Sequence, residues 1–294
     1  MLPAIERGLS VTDRLGILGA SITQHPHWDA LVDALSVPKY DHVRISLSSV
    51  RTNTLTVKLA QFVGQHGSKS VTIAVESGSE RVREIVNKKL KQEEISQAIR
   101  NACRGGLSSV KLYGMAGIPG ETDEDIQATI DMFVTLKRII KEEKSNLKLV
   151  FGCSTFVPKA QTPFQYFGVR KEAEKRMKTL EKQLAKLGVE FRPESHKWSV
   201  VQGLVSRGDR RIRNVLEQAV AYGDTLGAFN RAFKDLKGQV PPMDHYCFDD
   251  WPLETVLPWA HLRTGISPEI INSHFTSASK IMAGSAAGLG SVQE

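Results

Sequence analysis

Short apolar runs alternate with longer amphipathic segments through the first 190 residues of the chain. The runs at residues 15–19, 42–47, 71–75, 110–115 and 147–155 have the length and apolar character of strands. The segments between them carry apolar positions at helical spacing. Because strands that alternate with helices build βαβ units, this pattern predicts an α/β fold with a mainly parallel sheet.

The alternation stops near residue 190, and the rest of the chain has a different pattern. Residues 209–222 and 226–236 have helical spacing, whereas residues 240–260 are rich in proline and aromatic side chains without a clear period. The Ser-, Gly- and Ala-rich end of the chain predicts disorder. We therefore expect an α/β domain over residues 1–192, a mostly helical C-terminal region over 193–277 and a disordered tail over 278–294.

The composition is that of an ordinary globular protein, with 41% apolar and 24% charged residues among 294. Apolar runs stay shorter than the ~18 residues of a membrane span, and the first residues lack the apolar core of a secretory signal. Cys103, Cys153 and Cys247 lie too far apart for a disulfide framework, which favours a reducing compartment. We expect a cytoplasmic protein without a membrane partner.

The formal net charge is +7, and its excess is concentrated in one segment. Residues 170–213 contain 13 basic and 6 acidic side chains. Such a segment can neutralise the phosphates of a nucleic acid. It can equally be the solvated face of a helix over 171–187, whose other face carries Met177 and Leu184 at helical spacing. Both interpretations stay open at this stage.

Polar or glycine-rich segments follow four of the predicted strands. Ligands of parallel α/β folds bind at the carboxyl ends of strands, so these segments are candidate site residues. The segments are residues 48–51 (SSVR), 76–79 (ESGS), 116–122 (AGIPGET) and 156–164 (FVPKAQTPF). Each alone has an ordinary explanation, such as a serine helix cap or a glycine turn. Their shared position predicts one site at this edge of the sheet.

Three of these strand ends resemble the radical S-adenosylmethionine (radical SAM) superfamily, in the branch of methylthiotransferases and Elongator-type enzymes. The matching stretches are VESGSERVREIVNK (75–88), VKLYGMAGIPGETDEDI (110–126) and STFVPKAQTPFQ (154–165). RGDRR (207–211) and LPWAHLRTGIS (257–267) resemble a subfamily often associated with cobalamin. The resemblance implies a partial parallel (β/α) barrel of the radical SAM type, with about five of six strands present and a helical C-terminal extension. It also implies S-adenosylmethionine and a [4Fe-4S] cluster at the strand ends.

The resemblance also assigns residues. Glu76 matches a polar position that contacts the cofactor, and Lys88 matches a basic position whose charge suits the methionine carboxylate. The candidate cofactor-binding residues are Ser46, Ser48, Glu76, Ser77, Lys88, Tyr113, Gly114, Gly117, Ile118, Phe156 and Val157. The candidate contacts to substrate or another anion are Arg51, Arg207, Arg210 and Arg211. Two arginines in the first turn of a helix oppose its dipole, which favours an acidic partner for the RGDRR segment.

The sequence departs from the family at the cluster. The superfamily holds its cluster with three cysteines in a C-x3-C-x2-C loop, because thiolates are the ligands of iron–sulfur sites. The three cysteines here do not have that spacing, so no metal ligand is assigned. Either the chain starts inside the family domain, which we prefer, or it descends from a domain that lost its cluster. In the first case an upstream domain or partner supplies the cluster, cobalamin would bind a separate domain, and this chain alone is inactive.

The sequence leaves two other functions open. One is a non-catalytic module that holds an S-adenosyl ligand or RNA at the strand ends and the basic segment. The other is an ordinary TIM-like phosphate enzyme, which ranks last because a glycine-rich phosphate loop is not evident after residue 155. The substrate, a small molecule or RNA, is not specified by the sequence.

Overall fold

The computed structural model describes residues 2–19, 21–262 and 265–288. The strands are β1 (Arg14–Ile17), β2 (Arg44–Leu47), β3 (Ser70–Glu76), β4 (Ser109–Ala116), β5 (Lys148–Thr155) and β6 (Glu190–Pro193). The helices are α1 (Leu2–Leu9), α2 (Trp28–Leu35), α3 (Val57–Gln65), α4 (Glu80–Ile85), α5 (Gln92–Arg104), α6 (Asp123–Glu142), α7 (Glu172–Lys186), α8 (His196–Arg207), α9 (Ile212–Ala221), α10 (Leu226–Asp235), α11 (Met243–Cys247) and α12 (Pro268–Gly288). Within these residues, every helix is too short or too polar to cross a membrane.

All described strands pair in parallel, in the order β1-β2 in one sheet and β3-β4-β5-β6 in the other. The two sheets are linked just beyond β2, where the Val50 N–H donates to the Thr72 carbonyl at 2.9 Å. The predicted α/β fold with a partial parallel barrel is therefore confirmed, and the described strands do not close into a full barrel. The register places Tyr113, Gly152 and Arg192 in one row across the larger sheet.

A main apolar core lies between the strands and the helices that follow them. In β3, Val71, Ile73 and Val75 are buried on one face, and the intervening side chains are only partly buried on the other. Alternation of this kind positions one strand face against helices and leaves the other for a ligand. Helix α7 buries its predicted apolar stripe, including Met177 and Leu184.

The basic segment 170–213 is largely neutralised within the fold. Seven of its 13 basic side chains form ion pairs with described carboxylates. Arg211, for example, pairs with Asp209, which also accepts a hydrogen bond from the Arg211 N–H at 2.9 Å. Arg210 lies exposed beside them. This pairing favours the solvated-face interpretation of the segment.

Arg207 is not placed where a contact to substrate or another anion, its predicted role, would require it. Its side chain is fully buried at the end of α8 and donates to the carbonyls of Tyr246 and Asp249, each at 2.8 Å. The guanidinium also lies 4.0 Å from the ring centre of Trp251. Burial lowers the pKa of Arg207 to about 10. The side chain therefore holds α8 against the 246–251 segment and is not exposed to a substrate or anion.

The C-terminal region is helical, as predicted, and has its own apolar cluster around Leu204, Val215 and Phe229. The tail that was predicted to be disordered is helical over its first part. Residues 278–288 continue α12, and Ala278 is buried. The small side chain of Ala278 packs in one apolar cluster with Val82 and Ile118, so a composition rich in small residues did not mean disorder here. Residues 289–294 of that tail lie outside the described residues.

Candidate functional site

A cavity of about 690 Å³ opens where β3, β4 and β5 end. Four of the predicted cofactor residues line it together: Glu76, Lys88, Phe156 and Val157. Further apolar lining comes from Ile85, Val86, Met115, Pro163 and Phe164, and polar lining comes from Glu84, Asn87, Lys89, Lys159 and Thr162. The wall is completed by His274, Ser277 and Ala278 of α12. We call this space the strand-end cavity.

Glu76 and Lys88 form an ion pair on the cavity wall. Lys88 Nζ lies 3.0 Å from Glu76 Oε1, and the side chains are 35% and 24% exposed. Glu76 has φ 65°, a left-handed conformation that is uncommon outside glycine, and the register of β3 with β4 shifts there. A strained residue of this kind at the end of a strand is typical of functional sites. The irregularity gives Glu76 its position at the cavity.

The turn after Glu76 is fixed by packing and capping. Ser79 caps α4 by accepting from the Val82 N–H, and its hydroxyl donates to Asp125 Oδ1 at 2.7 Å. Gly78 approaches the α6 backbone so closely that an added Cβ would lie 2.3 Å from Thr129 Cα. The serine and glycine of the ESGS segment therefore have structural roles, and Glu76 is its member at the cavity.

Arg83 is a positioning residue that the sequence interpretation missed. Its side chain is fully buried and donates to the Ser77 carbonyl at 2.7 Å and to the Leu90 carbonyl at 2.8 Å. These bonds join the segment before α4 to the segment after it, which carries Lys88. The Lys88 N–H also donates to the Arg83 carbonyl at 2.7 Å. The available signal was a charged residue next to Val82 on the apolar face of a short helix.

The glycine-rich turn after β4 packs beneath the cavity and does not line it. Gly117 has φ 81°, which favours glycine, and its N–H donates to Glu121 Oε2 at 2.7 Å. Burial raises the pKa of Glu121 to about 7, although Arg176 Nη1 lies 3.2 Å away. A Cβ at Gly114 would lie 2.7 Å from the Glu76 carbonyl. Ile118 is buried in the apolar cluster beneath. None of these three candidates, Gly114, Gly117 and Ile118, lines the strand-end cavity.

The remaining candidates are not brought together at this cavity. Ser46 lines a separate cavity of about 270 Å³ beside β1, and Ser48 is exposed and donates to the Gly19 carbonyl. Ser77 is buried below the turn. Tyr113 lies two residues before Met115 on the same strand, half exposed over Gly152, and lines another small cavity.

The cysteines do not fit a cluster. Cys153 and Cys247 are buried in different cores, and burial raises the pKa of the Cys247 thiol to about 12. Burial also raises the pKa of Cys153 and Cys103. Iron–sulfur ligation needs convergent thiolates. Over the part of the chain that is described, no three His, Cys, Asp or Glu side chains are grouped to hold a metal.

Comparison with protein families finds a match over part of the chain. Residues 4–133 match the sequence model of the Radical SAM superfamily. The match spans 130 residues, less than half of the chain, and shows that this part of the chain is similar to the Radical SAM superfamily. The matched segment contains β1 to β4, Glu76, Lys88 and the glycine-rich turn, whereas the cavity-lining residues that follow β5 and those of α12 lie outside it.

Two curated relatives match parts of the chain. An uncharacterised protein of Methanocaldococcus jannaschii is 35% identical over 175 residues, which are 60% of this chain and 37% of that protein. An uncharacterised methyltransferase of Pyrococcus horikoshii is 31% identical over 83 residues, which are 28% of this chain and 18% of that protein. The chain therefore spans little more than a third of the length of the first relative and less of the second.

Solved structures give weaker likenesses. Coproporphyrinogen III oxidase from Escherichia coli, described as a radical SAM enzyme, is 20% identical, with 48% of this chain and 31% of that chain covered and a TM-score of 0.33. A putative phosphonomutase from Burkholderia cenocepacia is 12% identical, with coverages of 69% and 79% and a TM-score of 0.35. Both TM-scores lie below 0.5, so neither likeness supports a conclusion about this chain.

Proposed function

We propose that the strand-end cavity binds S-adenosylmethionine and that this chain is the cofactor-binding part of a radical SAM protein. The observation that carries the proposal is the Glu76–Lys88 pair on the cavity wall. The methionine end of the cofactor is a zwitterion, with a carboxylate and an ammonium on one carbon. A lysine and a glutamate 3.0 Å apart offer the complementary charges at a matching spacing.

The volume and the apolar lining of the cavity suit the part of S-adenosylmethionine beyond its methionine end. Small-molecule cavities typically measure roughly 300–1,000 Å³ and are mostly apolar with a few placed polar groups. The strand-end cavity, at about 690 Å³, has Met115, Phe156 and Phe164 on its apolar side. The rings of Phe156 and Phe164 pack edge to face, 5.5 Å between centres, which gives that wall a fixed shape.

The three cysteines of this chain do not form a ligand set for an iron–sulfur cluster. Since the three cysteines do not converge, we derive no step through a cluster held by this chain and propose that its ligands come from another segment or a partner. The strand-end motifs support the methylthiotransferase and Elongator-type branch. Cobalamin, if the whole protein uses it, would belong to a separate domain.

Calorimetric titration with S-adenosylmethionine tests the binding proposal. Lys88→Met removes the cation that meets the methionine carboxylate, and we expect affinity to fall at least about tenfold, because hydrogen bonds to charged groups contribute about 1.5–3 kcal/mol. Glu76→Gln should weaken binding in the same direction. Lys182→Met, an exposed lysine of α7, is the matched control. Equal affinity in wild type, Lys88→Met and Glu76→Gln would show that the pair does not hold the cofactor.

A further inference from the structure

A second cavity of about 500 Å³ lies next to the strand-end cavity. Asn87, Lys88 and Lys89 line both spaces, so this three-residue segment forms the partition between them. Asn87 has φ 53°, a left-handed conformation that turns the chain there. The other lining residues are Ser21, Ser49, Val50, Arg51, Thr52, Asn53, Ala74, Leu90 and Glu94. We call this second space the anion cavity.

The anion cavity carries excess positive charge. Its lining contains the cations Arg51, Lys88 and Lys89 and one carboxylate, Glu94. Glu94 Oε2 is already engaged, because it accepts from the Lys91 N–H at 2.8 Å and thereby caps α5. Lys88 is paired with Glu76 of the strand-end cavity, so the unbalanced cations of this lining are Arg51 and Lys89. A concave surface with unbalanced charge of one sign concentrates ligands of the opposite sign.

Arg51 is the distinctive cation of this set. It follows β2 by four residues and stands at the same carboxyl edge as Glu76. Among the described residues no carboxylate lies within ion-pair distance of Arg51 or Lys89. The Arg51 backbone carbonyl accepts from Thr54, so the backbone is fixed while the guanidinium stays exposed. Hydroxyl and amide groups of Ser49, Thr52 and Asn53 add further polar lining.

We propose that the anion cavity binds the phosphate of a phosphorylated small molecule, the substrate of the site assigned above. That this cavity holds the substrate rests on the proposed function. That its ligand carries a phosphate rests only on the cations that line it. Arginine and lysine together are a common recognition set for phosphate oxygens. The volume is that of a small-molecule site. The shared partition places this ligand beside the cofactor, which is what a reaction between the two requires.

Calorimetry of the full chain with pyrophosphate as the probe tests this assignment. Arg51→Ala should weaken pyrophosphate binding at least about tenfold, and Arg51→Lys should restore part of it. Arg138→Ala, an exposed arginine of α6, removes the same charge away from the cavity and should change the affinity less than about twofold. Thermal melts of the three variants verify that folding is unchanged.

The outcomes are distinguishable from those of the cofactor titration. Retained S-adenosylmethionine binding in Arg51→Ala, together with lost pyrophosphate binding, supports two adjacent sites. Arg51-dependent pyrophosphate binding in a wild-type chain that does not bind S-adenosylmethionine would remove the cofactor proposal and leave the phosphate site. Equal pyrophosphate affinity in wild type and Arg51→Ala overturns the phosphate site. So does citrate binding as tight as pyrophosphate, or Arg51-dependent RNA binding that pyrophosphate does not displace.

Discussion

The buried carboxyl group of Glu121 should make stability depend on pH in an unusual direction. Its side chain is 1% exposed, and burial raises its pKa from 4.5 to about 7. A shift of one unit corresponds to about 1.36 kcal/mol, so the folded state prefers the protonated form by about 3 kcal/mol. Below pH 4.5 the proton is bound in both states. Between pH 4.5 and 7 only the unfolded chain releases it, so this part of the stability falls as pH rises and is lost once the pH passes 7.

Glu121→Gln isolates the effect, because glutamine still accepts from the Gly117 N–H but carries no charge. Urea unfolding at several pH values from 5 to 8 measures the free energy of unfolding of both proteins. Relative to the variant, wild type should lose about 2–3 kcal/mol over this window. Asp123→Asn is the control, since it removes an exposed carboxylate from the same Arg176. A constant difference between wild type and Glu121→Gln from pH 5 to 8 would refute the reasoning.

Two further substitutions test contacts that hold the site and the C-terminal region. Gly78→Ala should lower the free energy of unfolding by about 1–3 kcal/mol, because the added Cβ would overlap the Thr129 backbone. Gly64→Ala is the control, since open space surrounds that position, and it should not lower the free energy of unfolding. Urea unfolding of both variants makes the comparison. Arg207→Met should cost about 1–3 kcal/mol because it leaves the Tyr246 carbonyl unpaired in a buried place, and a thermal melt unchanged from wild type would contradict that role.

The apolar pattern predicted the strands well. All five predicted strands are present within two residues at each end. Strand β6 was missed because Glu190–Pro193 has one apolar side chain and is mostly exposed. Its place in the sheet depends on backbone hydrogen bonds to β5, which have no counterpart in a hydrophobic pattern.

The site was predictable only in part. Glu76 and Lys88 are separated by one short helix, so their meeting follows from local structure and motif. Arg207 could not be placed, because its partners lie 39 and 42 residues later and bury it through tertiary packing. The α12 wall of the cavity was missed for the same reason. Charge in a sequence indicates where a ligand can bind only if the fold leaves that charge exposed.

Helix α12 also affects the order in which the cavity is assembled. Ala278 shares a buried apolar cluster with Val82 of α4, 196 residues earlier in the chain. Contacts between such distant segments close a long loop, which carries an entropic cost, and we expect them to form late in folding. During synthesis, the apolar cluster around Ile118 and Phe164 therefore stays uncovered until α12 docks. We therefore expect chaperones, which bind exposed apolar surface, to reach that cluster in a growing chain before α12 covers it.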